Sequence, residues 1–453
     1  MEAALHFISK FDVALPPPRL AALLAHVERH SHCTYKLSHG TPPSGWRLGS
    51  LTGQDEPFNC ATRGRKQLGP LSGRLLAWFG TQVKLTSSPG FEADPLVWLD
   101  EFAASGDPVR WIAPRQLCVA DARIARAVLR NDGGLYPDHS DFFATDYGTF
   151  GPRPLQVELG RAARHFIEAR LPSLPLEAEA ARLGPASRWP RAGGTLLMRA
   201  LHPLLAAPDR RPAFRRRLAG VVEHGILARD AGGDRGLARR LRRFAFVLAF
   251  DTEREARARG GAGEPRDLLD LVLDIGAAAP SEQLIEVYLG FVFALVSSVG
   301  FALAWSVLLA VRHGQTAAPP RRIALEALRL YPVAWLLGRR PAAPHRLAGI
   351  DVGPEDEVVV CPYAVHRSPL NWAEPTRFDP GRWAAHPDRG GWIPFGAGPH
   401  ACAGVSTTFL ILDRLLGALF EEHDLSVAEV GASVGLGTAL APPPFVLRRT
   451  PRR

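Results

Sequence analysis

Residues 287–311, VYLGFVFALVSSVGFALAWSVLLAV, run for 25 positions without a charged side chain. That length meets the requirement for a helix crossing the hydrocarbon core of a bilayer. The same pattern describes a helix through the middle of a large protein, apolar on every side because it is packed on every side. Either way, the chain must organise itself around one long helix. The start of the sequence, MEAALHFISKFDVALPPPRL, lacks the basic start and apolar core of a secretory signal.

The remainder can supply such a core. The chain has 453 residues, 46% of them hydrophobic, and its 40 prolines and 43 glycines imply many punctuated loops. Residues 1–89 stand apart, rich in His, Pro and Gly, with one short helix expected at 18–32. A regular pattern begins at 90–132, read as a helix at 95–104, a strand with a turn at 109–118 and a helix at 120–129. Helices dominate 157–330, interrupted by an expected exposed loop at 251–267, DTEREARARGGAGEPRD. After RLYP the texture changes to short strands and turns (GIDVGPEDEVVVCPYAV) and a Pro-rich meander (NWAEPTRFDPGRW). There follow a Gly/Pro loop (WIPFGAGPHACAG), a helix (STTFLILDRLLGALFEEH) and a terminal strand (FVLRRTPRR). The expected class is mainly α with minor β.

The net charge of +9 is carried almost wholly by arginine, since Lys10, Lys36, Lys66 and Lys84 are the lysines. The densest cluster, DRRPAFRRRLAG at 209–220, is spaced like a solvated helix face, with no interleaved aromatics and no nucleic-acid motif. A nucleic-acid partner is not expected, and a basic face suits an acidic protein instead. Five scattered cysteines, an odd number, argue against a disulfide scaffold and for a reducing, cytoplasmic setting. His26, His30, His32, His39, Cys33 and Cys60 repeat with no zinc-finger spacing, so 1–89 reads as a polar extension.

In WIPFGAGPHACAG, Cys402 lies where a Gly/Pro loop meets an apolar helix. A thiolate there gains from the helix dipole and from backbone N–H groups that the first turn leaves free. Gly396, Gly398 and Gly404 permit sharp turns and close approach of a flat ligand. Cys402 could equally be a small buried side chain, or a nucleophile, for which His400 is poorly placed as a base. Spacing alone leaves these open.

FGAGPHACAG resembles the haem-binding signature of the cytochrome P-450 superfamily, Phe-x-x-Gly-x-x-x-Cys-x-Gly, at Phe395, Gly398, Cys402 and Gly404. EALRLYP supplies the family's Glu-x-x-Arg as Glu326 and Arg329, AVHRSP at 364–369 resembles its His-Arg-x-Pro element, and FDPGRW at 378–383 its meander. The four elements occur in order, and the resemblance reaches back to about residue 90. It implies an N-terminal extension over 1–89 and a haem domain over 90–453 with the cytochrome P-450 fold. Haem b would be bound between the I and L helices. Cys402 would ligate the iron and Phe395 would pack beside the sulfur. Glu326, Arg329 and Arg382 would form a buried network rather than a surface i,i+3 pair. His400, Arg164 (in GRAARHFIEAR) and Arg339, in preference to Arg340, would meet the propionates.

The apolar run then reads as the I helix, and no membrane association is expected. The family's acid–threonine pair falls on Ser297 and Ser298, so the acid is missing and proton delivery would fall to hydroxyls or held water. Both serines could instead back-bond to helix carbonyls. Only 27 residues separate Ser298 from Glu326, too few for the family's intervening helices, and Gly160 stands where a tryptophan is common.

The resemblance implies a monooxygenase that hydroxylates, epoxidises or couples a small-molecule or peptide-derived substrate in natural-product biosynthesis. Ferredoxin and ferredoxin reductase would supply electrons. The alternatives are a peroxide-using or non-redox haem-thiolate enzyme, or a catalytically silent haem-binding partner. Substrate contacts are expected from 133–155 (Tyr136, Phe142, Phe143, Phe150) and from helices near 195–250.

Overall fold

The computed structural model describes residues 89–139, 153–223, 236–261, 263–384, 389–421, 423–437 and 439–452. The expectations for residues 1–88, including the helix at 18–32, lie outside them, as do Phe142, Phe143 and Phe150.

Helix α1 (Pro95–Ser105) starts at Asp94, whose carboxylate accepts from the Leu96 and Val97 N–H groups, and stops at Gly106 with φ +75°. A hairpin, β1 (Val109–Ala113) and β2 (Gln116–Val119), leads to α2 (Ala122–Arg130), which Asp121 caps and Asn131 ends at φ +53°. These elements follow the sequence pattern to within two residues. Strand β3 (Asp138–His139) precedes α3 (Arg153–Arg170), α4 (Leu176–Ala181), β4 (Ala186–Trp189), α5 (Arg191–Leu205) and α6 (Pro212–Val221).

Helix α7 (Gly236–Gly260) corrects the expected loop over 251–260, while 261 and 263–267 are non-helical as expected. Two of its charges are paired rather than solvated: Arg257 Nε donates to Asp274 Oδ1 at 2.8 Å, and Glu253 is buried against Arg210 Nη1 at 3.1 Å. Asp267 caps α8 (Leu268–Ile275) and also accepts from Arg210 Nε at 2.8 Å. Arg210 is therefore buried among carboxylates and does not belong to a solvated face, although Arg216 and others of its cluster lie outward on α6.

The apolar run is a single helical rod from Ser281 to Arg312, in three parts. Helix α9 (Ser281–Val292) passes through a π-helical turn (Phe293–Ser298) into α10 (Val299–Arg312). Its length and hydropathy would suit a membrane, but 78% of its most apolar window is buried among other elements, which identifies a core helix. Turns at 313–319 lead directly to α11 (Pro320–Leu330), so the link between Ser298 and Glu326 is as short as the sequence implied.

Strands β5 (Leu337–Arg340), β6 (His345–Leu347), β7 (Ile350–Val352) and β8 (Glu357–Val360) follow, then α12 (Pro362–Val365), α13 (Val405–Glu421), β9 (His423–Ala428) and β10 (Phe445–Pro451). One sheet has the order β1-β2-β8-β5-β3, a second β4-β10-β9, and β6-β7 form a hairpin. Helices α10, α11 and α13 pack on one another around a core that includes Leu303, Leu325 and Leu415. Tyr136 does not line an open pocket: it is buried with Leu117 and Val358, and its hydroxyl pairs with His345 Nε2 at 2.7 Å.

Candidate active site

The loop before α13 is built around glycine geometry and a few backbone bonds. Gly396 and Gly398 both have φ +71°, a region that favours glycine. At Gly398 a Cβ atom would lie 2.6 Å from Arg130 Cα and from Leu129 O. This glycine therefore seats the loop against the end of α2. The Ala401 N–H donates to Gly398 O at 3.0 Å, and the Cys402 N–H to Phe395 O at 2.9 Å.

Cys402 Sγ accepts from the Gly404 N–H at 3.4 Å. Protein atoms surround the sulfur, and this desolvation pushes the thiol up, opposed by the Gly404 N–H. The residue is nevertheless accessible, as are Ala401 and Ala403 beside it. A Cβ on Gly404 would stand 3.7 Å from the sulfur. The accessible cysteine, the facing N–H and the bare backbone form a donor set and a cradle that fit a flat metal-bearing ligand.

Phe395 lies half-buried beside this loop, edge-on to Trp392 and to Phe409, each at 5.8 Å between centroids. Trp392 meets Trp383 at 5.8 Å, and Trp383 Nε1 donates to Glu326 Oε2 at 2.9 Å. Aromatic packing thus connects the cysteine loop to a buried charge network.

That network unites the three residues expected from the sequence. Arg329 holds Glu326 bidentately, Nε to Oε2 at 2.9 Å and Nη2 to Oε1 at 2.8 Å, with both side chains fully buried. Arg329 also donates to the carbonyls of His366 (2.8 Å) and Arg377 (2.8 Å). The Asp379 N–H donates to Glu326 Oε1 at 3.0 Å, Arg382 Nε approaches the same oxygen at 3.5 Å, and Arg382 Nη1 donates to Ala373 O at 2.8 Å. Burial pulls the Arg329 guanidinium down from its ordinary value, against the pull of Glu326. The meander is thereby fastened to α11 through many bonds on few groups.

The basic residues come from three elements. His400 closes the turn Gly398–His400 and is half-buried. Arg164 lies on α3 one turn before Glu168, whose carboxylate takes a short hydrogen bond from Ser406 Oγ, so this face of α3 fronts the cysteine end of α13. Gly160, another turn back, has no atom within 4 Å of an added Cβ. On β5, Leu337 Cδ1 lies 3.7 Å from the Cβ position of Gly396. Strand alternation turns Arg339 to the same face as Leu337, and it is buried, whereas Arg340 is exposed.

Along the core helix, Phe291, Phe293, Ala294, Ser298 and Phe301 retain accessibility among otherwise buried neighbours. The three- and four-residue spacing of Phe291, Ala294, Ser298 and Phe301 places them on one face. Ser297 is buried and Ser298 half-buried, both in the π-helical turn, a local widening often found at functional sites. Ser306 Oγ bonds back to Ala302 O at 2.7 Å. Among the described residues neither Ser297 nor Ser298 makes such a bond. Glu286, the acid nearest to the turn on this helix, precedes Ser297 by 11 residues, roughly three turns or about 16 Å of rise.

The feature that sequence reasoning left without a role is His366, buried between α11 and the cysteine loop. The AVHRSP element flagged the position, but nothing in the sequence shows what each ring nitrogen meets.

The Cytochrome P450 family profile matches residues 322–434. Cyclooctatin synthase and cyclooctat-9-en-7-ol 5-monooxygenase of Streptomyces melanosporofaciens are each 40% identical over 88 residues, 18% of this chain and 19% of theirs. Cytochrome P450 3A40 of Oryzias latipes is 35% identical over 136 residues, 28% of this chain and 27% of its own. The chain thus spans under a third of the length of these relatives. Among solved structures, P450 OxyD, involved in biosynthesis of vancomycin-type antibiotics, matches with TM-score 0.62 at 20% identity, over 81% of this chain and 98% of that one. A mutant of P450 EryK in complex with erythromycin B matches with TM-score 0.60 at 18% identity, over 80% and 98%. At these identities the structures establish the fold.

Proposed function

The chain belongs to the cytochrome P450 superfamily, and on that premise we propose that it is a haem-thiolate monooxygenase acting on an organic natural-product intermediate. The observation that carries the reading is Cys402, an accessible cysteine at the mouth of α13, with the Gly404 N–H on its sulfur and its loop tied to α11. Similarity to proteins named for cyclooctatin, vancomycin-type antibiotic and erythromycin chemistry supports the setting. The reaction is hydroxylation, epoxidation or oxidative coupling, with electrons from a ferredoxin-type donor.

Cys402 would hold the iron of haem b, with Phe395 against the sulfur and Gly398 and Gly404 giving the loop its shape. His400, Arg164 and Arg339 would meet the propionates. Bound there, haem supplies dioxygen binding and reductive O–O cleavage, aided by thiolate donation. The chain's own part is fourfold. The Gly404 N–H favours the thiolate against the desolvation that opposes it, since a donor to the charged form stabilises that form. The Glu326 network fixes the loop. Phe291, Ala294 and Phe301 offer an apolar face that favours a hydrocarbon-rich substrate and excludes bulk water. Ser298 Oγ, with Ser297 next to it in the chain, holds a water and passes its proton toward the accessible side of the π-helical turn.

The carbon monoxide difference spectrum of the reduced protein tests the reading. A strongly red-shifted Soret band is expected, and an ordinary haem band, or no haem uptake, overturns it. The absence of an acid in the distal turn favours one second reading, a haem-thiolate enzyme that uses peroxide or needs no external electrons. Turnover with peroxide but not with ferredoxin and its reductase would select it.

A further inference from the structure

His366 is fully buried at the end of α12, and both of its ring nitrogens face main-chain groups. The Ile393 N–H points at Nε2 from 2.9 Å, and Arg329 O faces Nδ1 at 2.9 Å. An amide N–H can only donate, so Nε2 is the acceptor and the ring proton resides on Nδ1, donated to Arg329 O. The ring is thus a neutral, oriented bridge of fixed tautomer between the last turn of α11 and the root of the cysteine loop. From Ile393 the connection continues: its carbonyl accepts from the Gly396 N–H at 3.0 Å, and Phe395 O accepts from the Cys402 N–H at 2.9 Å.

We propose that His366 is a positioning residue for the Cys402 thiolate, holding the loop that presents the sulfur in register with α11. The inference rests on the haem-thiolate reading above. It carries the hold of the Glu326 network, through Arg329, on to the start of the loop. Glu326 and Arg382 fix residues 373–383, whereas His366 is the side chain that takes the N–H of Ile393, nine residues before the cysteine. A protonated ring would set N–H against N–H at Ile393, and burial, followed by the charges of Arg329 and Arg367, also disfavours a second proton. A bridge of this kind acts on the metal as outer-shell partners do, by fixing the ligand's orientation.

The test compares the full-length, haem-loaded wild type with His366→Phe, which fills the space without hydrogen bonds, and His366→Gln, whose amide can both accept and donate. The reduced carbon monoxide complex reports the fraction of sulfur bound as thiolate, and transfer of haem to apomyoglobin reports its release rate. The phenylalanine variant is expected to lose roughly half or more of the red-shifted band and to release haem about 10-fold faster, with partial rescue by glutamine. A phenylalanine variant with the wild-type band and release rate overturns the proposal. If that variant does not fold, nitrogen-15 spectra of histidine in the wild-type reduced carbon monoxide complex decide. An Nδ1–H tautomer coupled to the Ile393 amide supports the bridge, and any other tautomer overturns it. A wild type without the red-shifted band would instead sink the haem-thiolate reading itself.

Discussion

Arg329 and His366 hold each other twice: Arg329 Nη1 donates to His366 O at 2.8 Å, and His366 Nδ1 donates to Arg329 O at 2.9 Å. Side chain meets main chain in both directions, so neither residue can shift without the other. Replacing Arg329 by methionine removes one half of this clasp and strands the Glu326 carboxylate in a buried site. Breaking one partner of a buried ion pair costs about 3–5 kcal/mol, and urea unfolding of the variant should show a loss of that order. A loss below about 1 kcal/mol would equate the pair with a surface ion pair. The double variant Glu326→Gln/Arg329→Met should lose less than the sum of the single changes, because the stranded charge is then absent.

Gly398 and Gly160 form a contrasting pair. At 398 an alanine meets both a left-handed backbone, φ +71°, and main-chain atoms 2.6 Å from its Cβ. The backbone penalty is about 1–2 kcal/mol and the overpacking about 1–3 kcal/mol. Gly398→Ala should therefore lower stability by roughly 2–5 kcal/mol in chemical unfolding. Gly160 sits inside α3 with open space around its Cβ, and Gly160→Ala should raise stability by about 0.5–1 kcal/mol. Equal responses at the two positions would contradict the described packing.

These glycines also mark what the sequence could and could not reveal. The signature around Cys402 was legible because its residue types and spacing are local. Porphyrin clearance was a reasonable expectation for all three loop glycines, but Gly398 answers to the backbone of α2, more than 260 positions earlier in the chain. The same limit hid the helix through 251–260. Its Arg-rich composition reads as solvent-facing until Asp274 and Arg210 arrive from other elements to pair with Arg257 and Glu253. The choice between membrane and core for residues 287–311 likewise depended on neighbours distant in sequence. His366 was visible as a letter in a motif, and its role lay in two main-chain partners, 37 positions before it and 27 after it.

A pH titration follows from the buried ring. Burial first, then the Arg329 charge, pushes the His366 pKa from the ordinary 6.5 down to about 3. The native state therefore binds fewer protons than the unfolded chain between these values, and stability rises with pH across that window. The contribution is fully present above about pH 6.5 and is lost as pH falls toward 3. His366→Gln abolishes it, so wild type and variant should diverge most in slope between about pH 4.5 and 6.5, above the ordinary carboxylate range. His202, also lowered mainly by burial, acts in both proteins and cancels in the difference. Parallel unfolding curves across pH 4–7 for the two proteins would contradict a neutral buried ring.

The distal turn yields the sharpest functional prediction. Ser298 is half-buried on the more accessible face of the core helix, whereas Ser297 is almost wholly buried in the same π-helical turn. If Ser298 Oγ holds the proton-carrying water, Ser298→Ala should slow ferredoxin-driven oxidation by about 10²-fold, the lower end of the range for positioned proton transfer. Substrate-binding spectra should remain unchanged, and more of the reducing equivalents should appear as hydrogen peroxide. Ser297→Ala should slow the reaction less, since Ser297 is almost wholly buried and Ser298 is not. Peroxide-driven turnover brings its own protons, so the effect of Ser298→Ala should be several-fold smaller under that regime. Unimpaired ferredoxin-driven turnover in Ser298→Ala would remove the serine from proton delivery. An equal loss with peroxide would assign it to substrate positioning instead, because the requirement would then not depend on how the oxygen arrives.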